Sequence, residues 1–250
     1  MLGFEISKRK FFIDTDTASD DAVALLMALE TPDVEVLGIS IVSGNMPVDQ
    51  GSINARYTVE ICKKNTQVYV GYDKPILKKR EHADWFHGPD GMGNMNYPDP
   101  KIEENKEDYK DVLNSLIQQN PHEITLVTLG PLTNIANFIK KYPEAFQNIK
   151  NIVIMGGAAN TVGNVTPAAE YNIWCDPEAA DIVFQSGHPE ITMVGWELCR
   201  GDANLTEEEM EIVYSFNTEK GNFTIDCNKH ALDSSQNWLG DPGLGLPDPV

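Results

Sequence analysis

Four aspartates stand close together near the start of the chain, in the stretch KFFIDTDTASDDAVALLMALE. Asp14, Asp16, Asp20 and Asp21 fall within eight residues, between an apolar run typical of a strand and one typical of a helix. Carboxylates this close repel one another unless they share a proton or a cation. Ca²⁺ and Mg²⁺ prefer oxygen ligands of this kind. The spacing therefore favours a hard-cation site at this junction.

Helix capping is an alternative explanation for part of the cluster. Ser19 is a candidate N-cap residue, and Asp20 and Asp21 would then occupy the first helical turn, where the helix dipole stabilises negative charge. This explanation accounts for two carboxylates. It leaves Asp14 and Asp16, at the end of the strand, unexplained.

The rest of the chain alternates short apolar runs with helical patterns. Six runs are predicted to be strands: KFFID, VEVLGISIVSGN, TQVYVG, EITLVTLG, NIVIMGG and EITMVGWE. Helices are predicted over about 20–30, 48–63, 108–119, 131–141, 176–186 and 206–216, with long loops at 72–105 and 157–175. The apolar runs are nearly continuous, which is typical of a parallel sheet covered on both faces. We therefore expect an α/β protein with an open, mostly parallel, doubly wound (Rossmann-like) sheet flanked by helices.

The expected sheet also indicates where a ligand would bind. In open parallel sheets, ligands bind beyond the carboxyl ends of the strands. Polar residues follow the predicted strands at those ends: the aspartates after the first, Asn45 after the second, LGPLTN after the fourth and MGGA after the fifth. We expect these segments to meet at one site.

Composition narrows the classes of function. The chain has 250 residues, of which 41% are hydrophobic, and its formal net charge is −19. Such an acidic protein is not expected to bind nucleic acid or an anionic membrane. The four cysteines are scattered, which favours reduced thiols and a cytoplasmic location. The first ten residues are too charged for a signal peptide, and no apolar run is long enough to span a membrane.

Seven motifs in order resemble those of the ribonucleoside hydrolases of the inosine-uridine-preferring type. They are DTDTASDDAVAL, VSGN, HGPDGMG, LGPLTNIA, MGGA, GNVTPAAEYNIWCDPEAADIVF and the final LPDPV. Together they cover nearly the whole chain, so we expect one domain over residues 1–250 with the nucleoside hydrolase fold. The resemblance implies hydrolysis of the N-glycosidic bond of ribonucleosides to ribose and free base by a calcium-bound water.

The resemblance also implies roles for individual residues. Asp16 would be the catalytic base, and the Ca²⁺ ligands would be Asp16, Asp21, the carbonyl of Leu129 and Asp248. Asp20 would accept a hydrogen bond from a ribose hydroxyl, and Asp14 would orient the loop. Four further residues match ribose-holding positions of the family: Asn45, Asn164, Glu170 and Asn172. Asn134 is interpreted as a turn or cap residue.

The sequence departs from the family pattern in two places. Pro247 stands where pyrimidine-tolerant members carry a histidine, so the acid that protonates the leaving base is absent there. Trp85 and His87 are candidates for the base pocket; Trp196 is a weaker one, and Trp238 is interpreted as packing.

The chain ends at Val250, whereas family members usually continue, so we expect a domain without the C-terminal segments of the family. A homo-oligomer, dimer or tetramer, is expected from the resemblance.

Two other functions stay open at this point. FFIDTDT also fits the DxDx[TV] pattern of haloacid-dehalogenase-type phosphatases, with Asp14 as nucleophile and Mg²⁺ as the metal. However, SDDAVALL has no role in that mechanism. The other alternative is a degenerate, non-catalytic family member that holds calcium and ribose, which Pro247 and the short C-terminus favour. The base preference is not determined by the sequence.

Overall fold

A six-stranded parallel sheet forms the centre of the computed structural model, which describes residues 8–240 and 243–250, without the side chains of residues 238 and 239. The strands are β1 (Arg9–Thr15), β2 (Val34–Ile41), β3 (Val68–Val70), β4 (Ile124–Thr128), β5 (Asn151–Met155) and β6 (Ile191–Val194). Their order is β3-β2-β1-β4-β5-β6, and every neighbouring pair is parallel. The predicted open, doubly wound sheet is confirmed.

Helices cover both faces of this sheet. They are α1 (Ser19–Glu30), α2 (Val48–Ile61), α3 (Asp84–His87), α4 (Tyr109–Gln119), α5 (Thr133–Lys141), α6 (Pro143–Gln147), α7 (Tyr171–Cys175), α8 (Pro177–Phe184), α9 (Glu207–Ser215), α10 (Glu219–Asp226) and α11 (Lys229–Ser234). All six predicted helices are present within a few residues. The sequence patterns did not predict α3 and α7, which lie in the two long loops, or α6, α10 and α11. In the described residues, none of these helices has the length and apolarity needed to cross a membrane.

The two faces of β1 explain the continuous apolar runs. Phe12 and Ile13 are neighbours in the chain and point to opposite faces, and both are buried. Phe12 packs in one core cluster with Leu126 and Ile152, and Ile13 packs in another with Ile39. Because helices bury both faces, consecutive positions along a strand must be apolar.

The strand order places the aspartate stretch at the point where the chain reverses direction across the sheet. β1 pairs with β2 on one side and β4 on the other, and Asp14 is in register with both Ser40 and Thr128. The loops that leave these three strands therefore emerge side by side. A crevice at such a reversal is the usual ligand site of this architecture.

Candidate active site

Asp16 lies directly beyond β1 and is enclosed by the loops that follow β2 and β4. Its Oδ2 accepts a hydrogen bond from the backbone N–H of Asn45, and its side chain is buried. Two glycines make this enclosure possible. A Cβ at Gly44 would lie 2.8 Å from Asp16 Cγ, and one at Gly130 would lie 3.0 Å from the same atom.

Asp21 is held by the turn between β1 and α1. Its Oδ1 accepts from the Thr15 hydroxyl, and its Oδ2 accepts from the backbone N–H of Ala18 at 2.9 Å. Ala18 is the N-cap residue of α1, so the prediction that Ser19 caps this helix is wrong. The carboxylate of Asp21 takes over the bond to the cap N–H, and Ser19 Oγ lies 3.0 Å from His87 Nδ1 instead.

Three carboxylates converge beside Asp16. Oxygens of Asp20, Asp21 and Asp248 all lie within 4.8 Å of one another. Among the described residues, the buried atoms Asp16 Oδ1 and Asp20 Oδ1 have no hydrogen-bond partner. These unpaired anionic oxygens fit a hard cation. This group of three carboxylates includes Asp20, which the family resemblance assigned to ribose, and it does not include Asp16.

The pKa values of the carboxyls in this cluster also indicate a site for a cation or for protons. Burial, followed by the charge of Asp20, raises the pKa of Asp21 to about 7. Burial and the charge of Asp21 raise the pKa of both Asp16 and Asp248 well above the usual range. Carboxyls in this state bind protons at neutral pH unless a cation replaces the protons. The cluster is therefore suited to hold either protons or a divalent ion.

The Leu129 carbonyl, a predicted ligand, faces the same region. It accepts a hydrogen bond from Asn172 Nδ2 at 2.9 Å, and the Leu129 N–H donates to Asp14 O at 2.8 Å. A carbonyl oxygen has a second lone pair, so this bond leaves it able to bind a cation. Asn172 Oδ1 is buried without a partner in the described residues, which leaves one acceptor available to a ligand.

Glu170 and Asn164 both support the start of α7. Glu170 accepts from the backbone N–H groups of Asn172 at 2.8 Å, Gly157 at 2.8 Å and Ile173 at 3.2 Å. Asn164 Oδ1 accepts from Tyr171 N at 2.8 Å. Burial raises the pKa of Glu170, and these three N–H donors oppose the rise. The structure thus gives both residues a supporting role beside their predicted contact with ribose.

A cleft opens above the buried carboxylates. It is lined by Asp20, Asn45, Ala83, Trp85, Phe86, His87, Leu129, Met155, Asn164, Val165, Glu170, Tyr171, Asn172, Trp196, Cys199, Arg200, Asn204, Asn228, Ala231, Ser235, Gly245, Pro247 and Asp248. All predicted site residues except Asp16 and Asp21 are in this lining. The structure therefore brings the predicted set together, with Asp16 and Asp21 buried beside the cleft.

The two base-pocket candidates differ in exposure. Trp85 is 60% exposed, while His87 is buried, with Nδ1 3.8 Å from Asp20 Oδ1. Burial lowers the pKa of His87, the charge of Asp20 opposes this, and His230 adds to the lowering. Trp196 also lines the cleft. The side chain of Trp238 lies outside the described part of the structure.

Sequence reasoning missed two buried asparagines that hold the site. Asn134 Nδ2 donates to Asp14 Oδ1 at 2.7 Å, and its Oδ1 accepts from Tyr72 N at 2.8 Å. It bridges strands and is neither a turn residue nor a cap. Asn54 Nδ2 donates to Thr17 O at 2.9 Å and to Asp90 O at 3.0 Å, which joins the aspartate stretch to HGPDGMG.

Asp14 is held by side chains from two other segments, and its predicted role in orienting the loop stays a prediction. Besides Asn134, the Ser40 hydroxyl donates to its Oδ1. Burial raises the pKa of Asp14 to about 7, and the two side-chain donors counteract part of the rise. Asp14 does not line the cleft.

Comparison with known proteins identifies the family. The model of the family described as inosine-uridine preferring nucleoside hydrolase matches residues 11–250. Uridine nucleosidase 1 of Arabidopsis thaliana is 36% identical over 243 residues, which are 96% of this chain and 72% of that protein. The pyrimidine-specific ribonucleoside hydrolase RihB of Escherichia coli is 41% identical over 197 residues, 77% of this chain and 61% of that protein.

Solved structures agree with the sequence relatives. The purine-preferring ribonucleoside hydrolase from Gardnerella vaginalis superimposes with a TM-score of 0.89 at 33% identity, covering 96% of this chain and 77% of that one. The match to RihB spans less than two thirds of the length of that relative. Because the family model matches residues 11–250, almost the whole of this chain, the chain belongs to the inosine-uridine preferring nucleoside hydrolase family.

Proposed function

We propose that this protein hydrolyses the N-glycosidic bond of ribonucleosides, with Asp16 as the base that activates water. The observation that carries the proposal is the buried carboxylate group beside a cleft lined with amide side chains. The relatives are named for uridine, pyrimidine and purine substrates, so the family does not select the base. The phosphatase alternative has no support from the family assignment.

We propose Ca²⁺ as the resident ion, held by Asp21, Asp248, the Leu129 carbonyl and Asp16. Asp20 is a further candidate ligand because its oxygen belongs to the convergent group. When bound, the ion would lower the pKa of a nearby water and polarise ribose hydroxyls. The unpaired oxygens of Asp16 and Asp20 support a cation at this place.

The surroundings of Asp16 support its proposed role as the base. Its Oδ2 is fixed by Asn45 N–H, and its Oδ1 has no hydrogen-bond donor among the residues that the structure describes. In the proposed reaction, the water oxygen forms a bond to the anomeric carbon and its proton goes to Asp16. The C–N bond breaks, and its electron pair leaves with the base. Such general-base catalysis contributes about 10²- to 10⁴-fold to a rate.

The amides around the cleft would hold ribose. Asn172 Oδ1 is a buried acceptor without a partner in the described part of the chain, and Asn45 and Asn164 line the cleft. Glu170 keeps α7 in position through three backbone bonds. Hydrogen bonds to the sugar strengthen as it flattens toward an oxocarbenium ion, and this accelerates the reaction.

The leaving base would lie near Trp85 and His87. Pro247 lines the cleft where the resemblance implies a histidine, and it cannot donate a proton. His87 lines the cleft, and the lowering of its pKa by burial favours the neutral ring, which carries one N–H. We infer that His87 contacts the base.

The homo-oligomer, the cytoplasmic location and the single domain over 1–250 stay predictions.

Release of free base tests the proposal. Inosine, adenosine, guanosine, uridine and cytidine are incubated with the protein, with calcium or with a chelator. Calcium-dependent release is expected, and Asp16→Asn is expected to lower kcat by at least about 10²-fold without loss of fold by circular dichroism. Release at an unchanged rate in the folded variant would overturn the role of Asp16. Calcium binding without any release would instead favour the degenerate, non-catalytic alternative.

A further inference from the structure

Asn228 is a buried polar residue that no motif singled out. It is 1% exposed, lines the cleft and occupies the N-cap position of α11. An asparagine at this position usually accepts a hydrogen bond from the first helical turn. Here the side chain makes no capping bond. The ordinary structural reason for an asparagine is therefore absent at this helix.

The orientation of the Asn228 amide follows from its neighbours. Nδ2 lies 3.0 Å from Thr224 O, 3.4 Å from Ser19 O and 3.3 Å from Cys227 Sγ. The two carbonyls accept only, so the NH₂ group must face them. This leaves Oδ1 as the outer acceptor, and it is buried without a partner in the described residues. A buried acceptor in this state lowers stability unless some group donates to it.

The surroundings of Asn228 form a separate wall of the cleft. Ala231 and Ser235, three and seven residues after Asn228, also line the cleft, so α11 and its two ends supply all three lining residues. The two small side chains leave room for a flat ring. His230 Nδ1 lies 3.0 Å from Phe86 O, which fixes this wall to α3. The proposed ribose contacts come from other parts of the chain, the segments that follow β2 and β5.

We propose that Asn228 Oδ1 accepts a hydrogen bond from an N–H on the pairing edge of the nucleobase. The inference rests on the proposed function, because it takes a nucleoside as the ligand. N3–H of uracil and N1–H of hypoxanthine supply the donor. A ribose hydroxyl is the other possible source of a donor, and the 5′ position is the one that the reaction leaves free.

The test combines removal of the acceptor with removal of the donor. Wild-type protein and Asn228→Ala are assayed for kcat/KM on uridine and 3-methyluridine, on inosine and 1-methylinosine, and on uridine and 5′-deoxyuridine. Asn137→Ala is the matched control. Asn137 Nδ2 also donates to the carbonyl four residues earlier, Thr133 O, at 2.8 Å, and Asn137 does not line the cleft.

The expected result is that the losses of kcat/KM from the two changes, the substitution and the methylation, are non-additive. In wild type, N-methylation lowers kcat/KM by about tenfold, and Asn228→Ala lowers it by a similar factor on uridine and inosine. In Asn228→Ala, the methylated and parent nucleosides then react alike. The control variant keeps the discrimination of wild type. Full discrimination in folded Asn228→Ala would overturn the proposal, as would a non-additive loss for 5′-deoxyuridine alone.

A binding measurement separates this inference from the proposed function. Dissociation constants for the same nucleosides are measured by calorimetry on Asp16→Asn in the presence of calcium. Donor-dependent binding that Asn228→Ala removes would support the role of Asn228 even if wild type released no base. Dissociation constants that change neither with the methyl group nor with Asn228→Ala would overturn the inference, even if wild type were an active hydrolase.

Discussion

Gly44→Ala tests whether the position of Asp16 controls activity. A Cβ at residue 44 would lie 2.6 Å from Pro131 Cδ and 2.8 Å from Asp16 Cγ, and still closer to Asp16 Oδ2. Ordinary contacts begin at 3.4 Å, so Asp16 Cγ must retreat by about 0.6 Å (3.4 minus 2.8) and its Oδ2 by more. A displacement of about 1 Å in a catalytic group can cost about 10²-fold, or about 2.7 kcal/mol of transition-state stabilisation.

The matched control is Gly38→Ala in β2. Its Cβ would lie 2.9 Å from Phe12 Cε2, a buried side chain within the sheet and away from the cleft. Both variants are expected to lose about 1–3 kcal/mol of stability through overpacking. Only Gly44→Ala is expected to lose about 10²-fold in kcat.

The assay is base release at saturating calcium, with urea unfolding to compare the two free energies of unfolding. A folded Gly44→Ala protein with kcat within threefold of wild type would refute the reasoning. So would an equal loss of kcat in Gly38→Ala, because the effect would then follow from stability and not from the position of Asp16.

Two further predictions concern the support of the site. Asn134→Ala removes the Nδ2 donor to Asp14 and the acceptor for Tyr72 N, and is expected to cost about 1–3 kcal/mol in urea unfolding. An unchanged midpoint would contradict this role. The second prediction concerns pH. Asp14 and Asp21 have pKa values of about 7 in the folded protein, above the ordinary 3.8, so the stability that their protonated forms contribute is complete below pH 4 and is lost as pH rises through 7. With a chelator, Tm is therefore expected to fall between pH 4 and 7, and the increase in Tm on adding calcium is expected to grow over the same range. An increase in Tm that does not depend on pH would refute this prediction.

Features that depend on short stretches of sequence were predictable. The continuous apolar runs identified all six strands, and the position of polar residues after the strands located the cleft. The convergence of Asp248 with Asp20 and Asp21 joins residues more than 200 positions apart, and only the family resemblance indicated it.

Contacts between distant segments could not be predicted from local patterns. Ser19 has the residue type of an N-cap, but the chain turns one residue earlier, and the Asp21 carboxylate reaches back to the cap N–H. Asn54 lies inside α2, where nothing in the sequence distinguishes it from a surface residue. Its function depends on two loop carbonyls, Thr17 O and Asp90 O, that folding brings to it.

The enclosure of Asp16 follows from the topology of the sheet. Because β1 lies between β2 and β4, the residue that follows β1 must fit between the two loops that leave those neighbours. Asn45 N–H reaches the carboxylate only if residue 44 presents no side chain, and Gly130 meets the same requirement from the other side. A buried carboxylate with an unpaired oxygen is unfavourable in itself, as its raised pKa indicates. The fold therefore holds Asp16 in a state that a proton or a cation relieves, and this is the property that the proposed base requires.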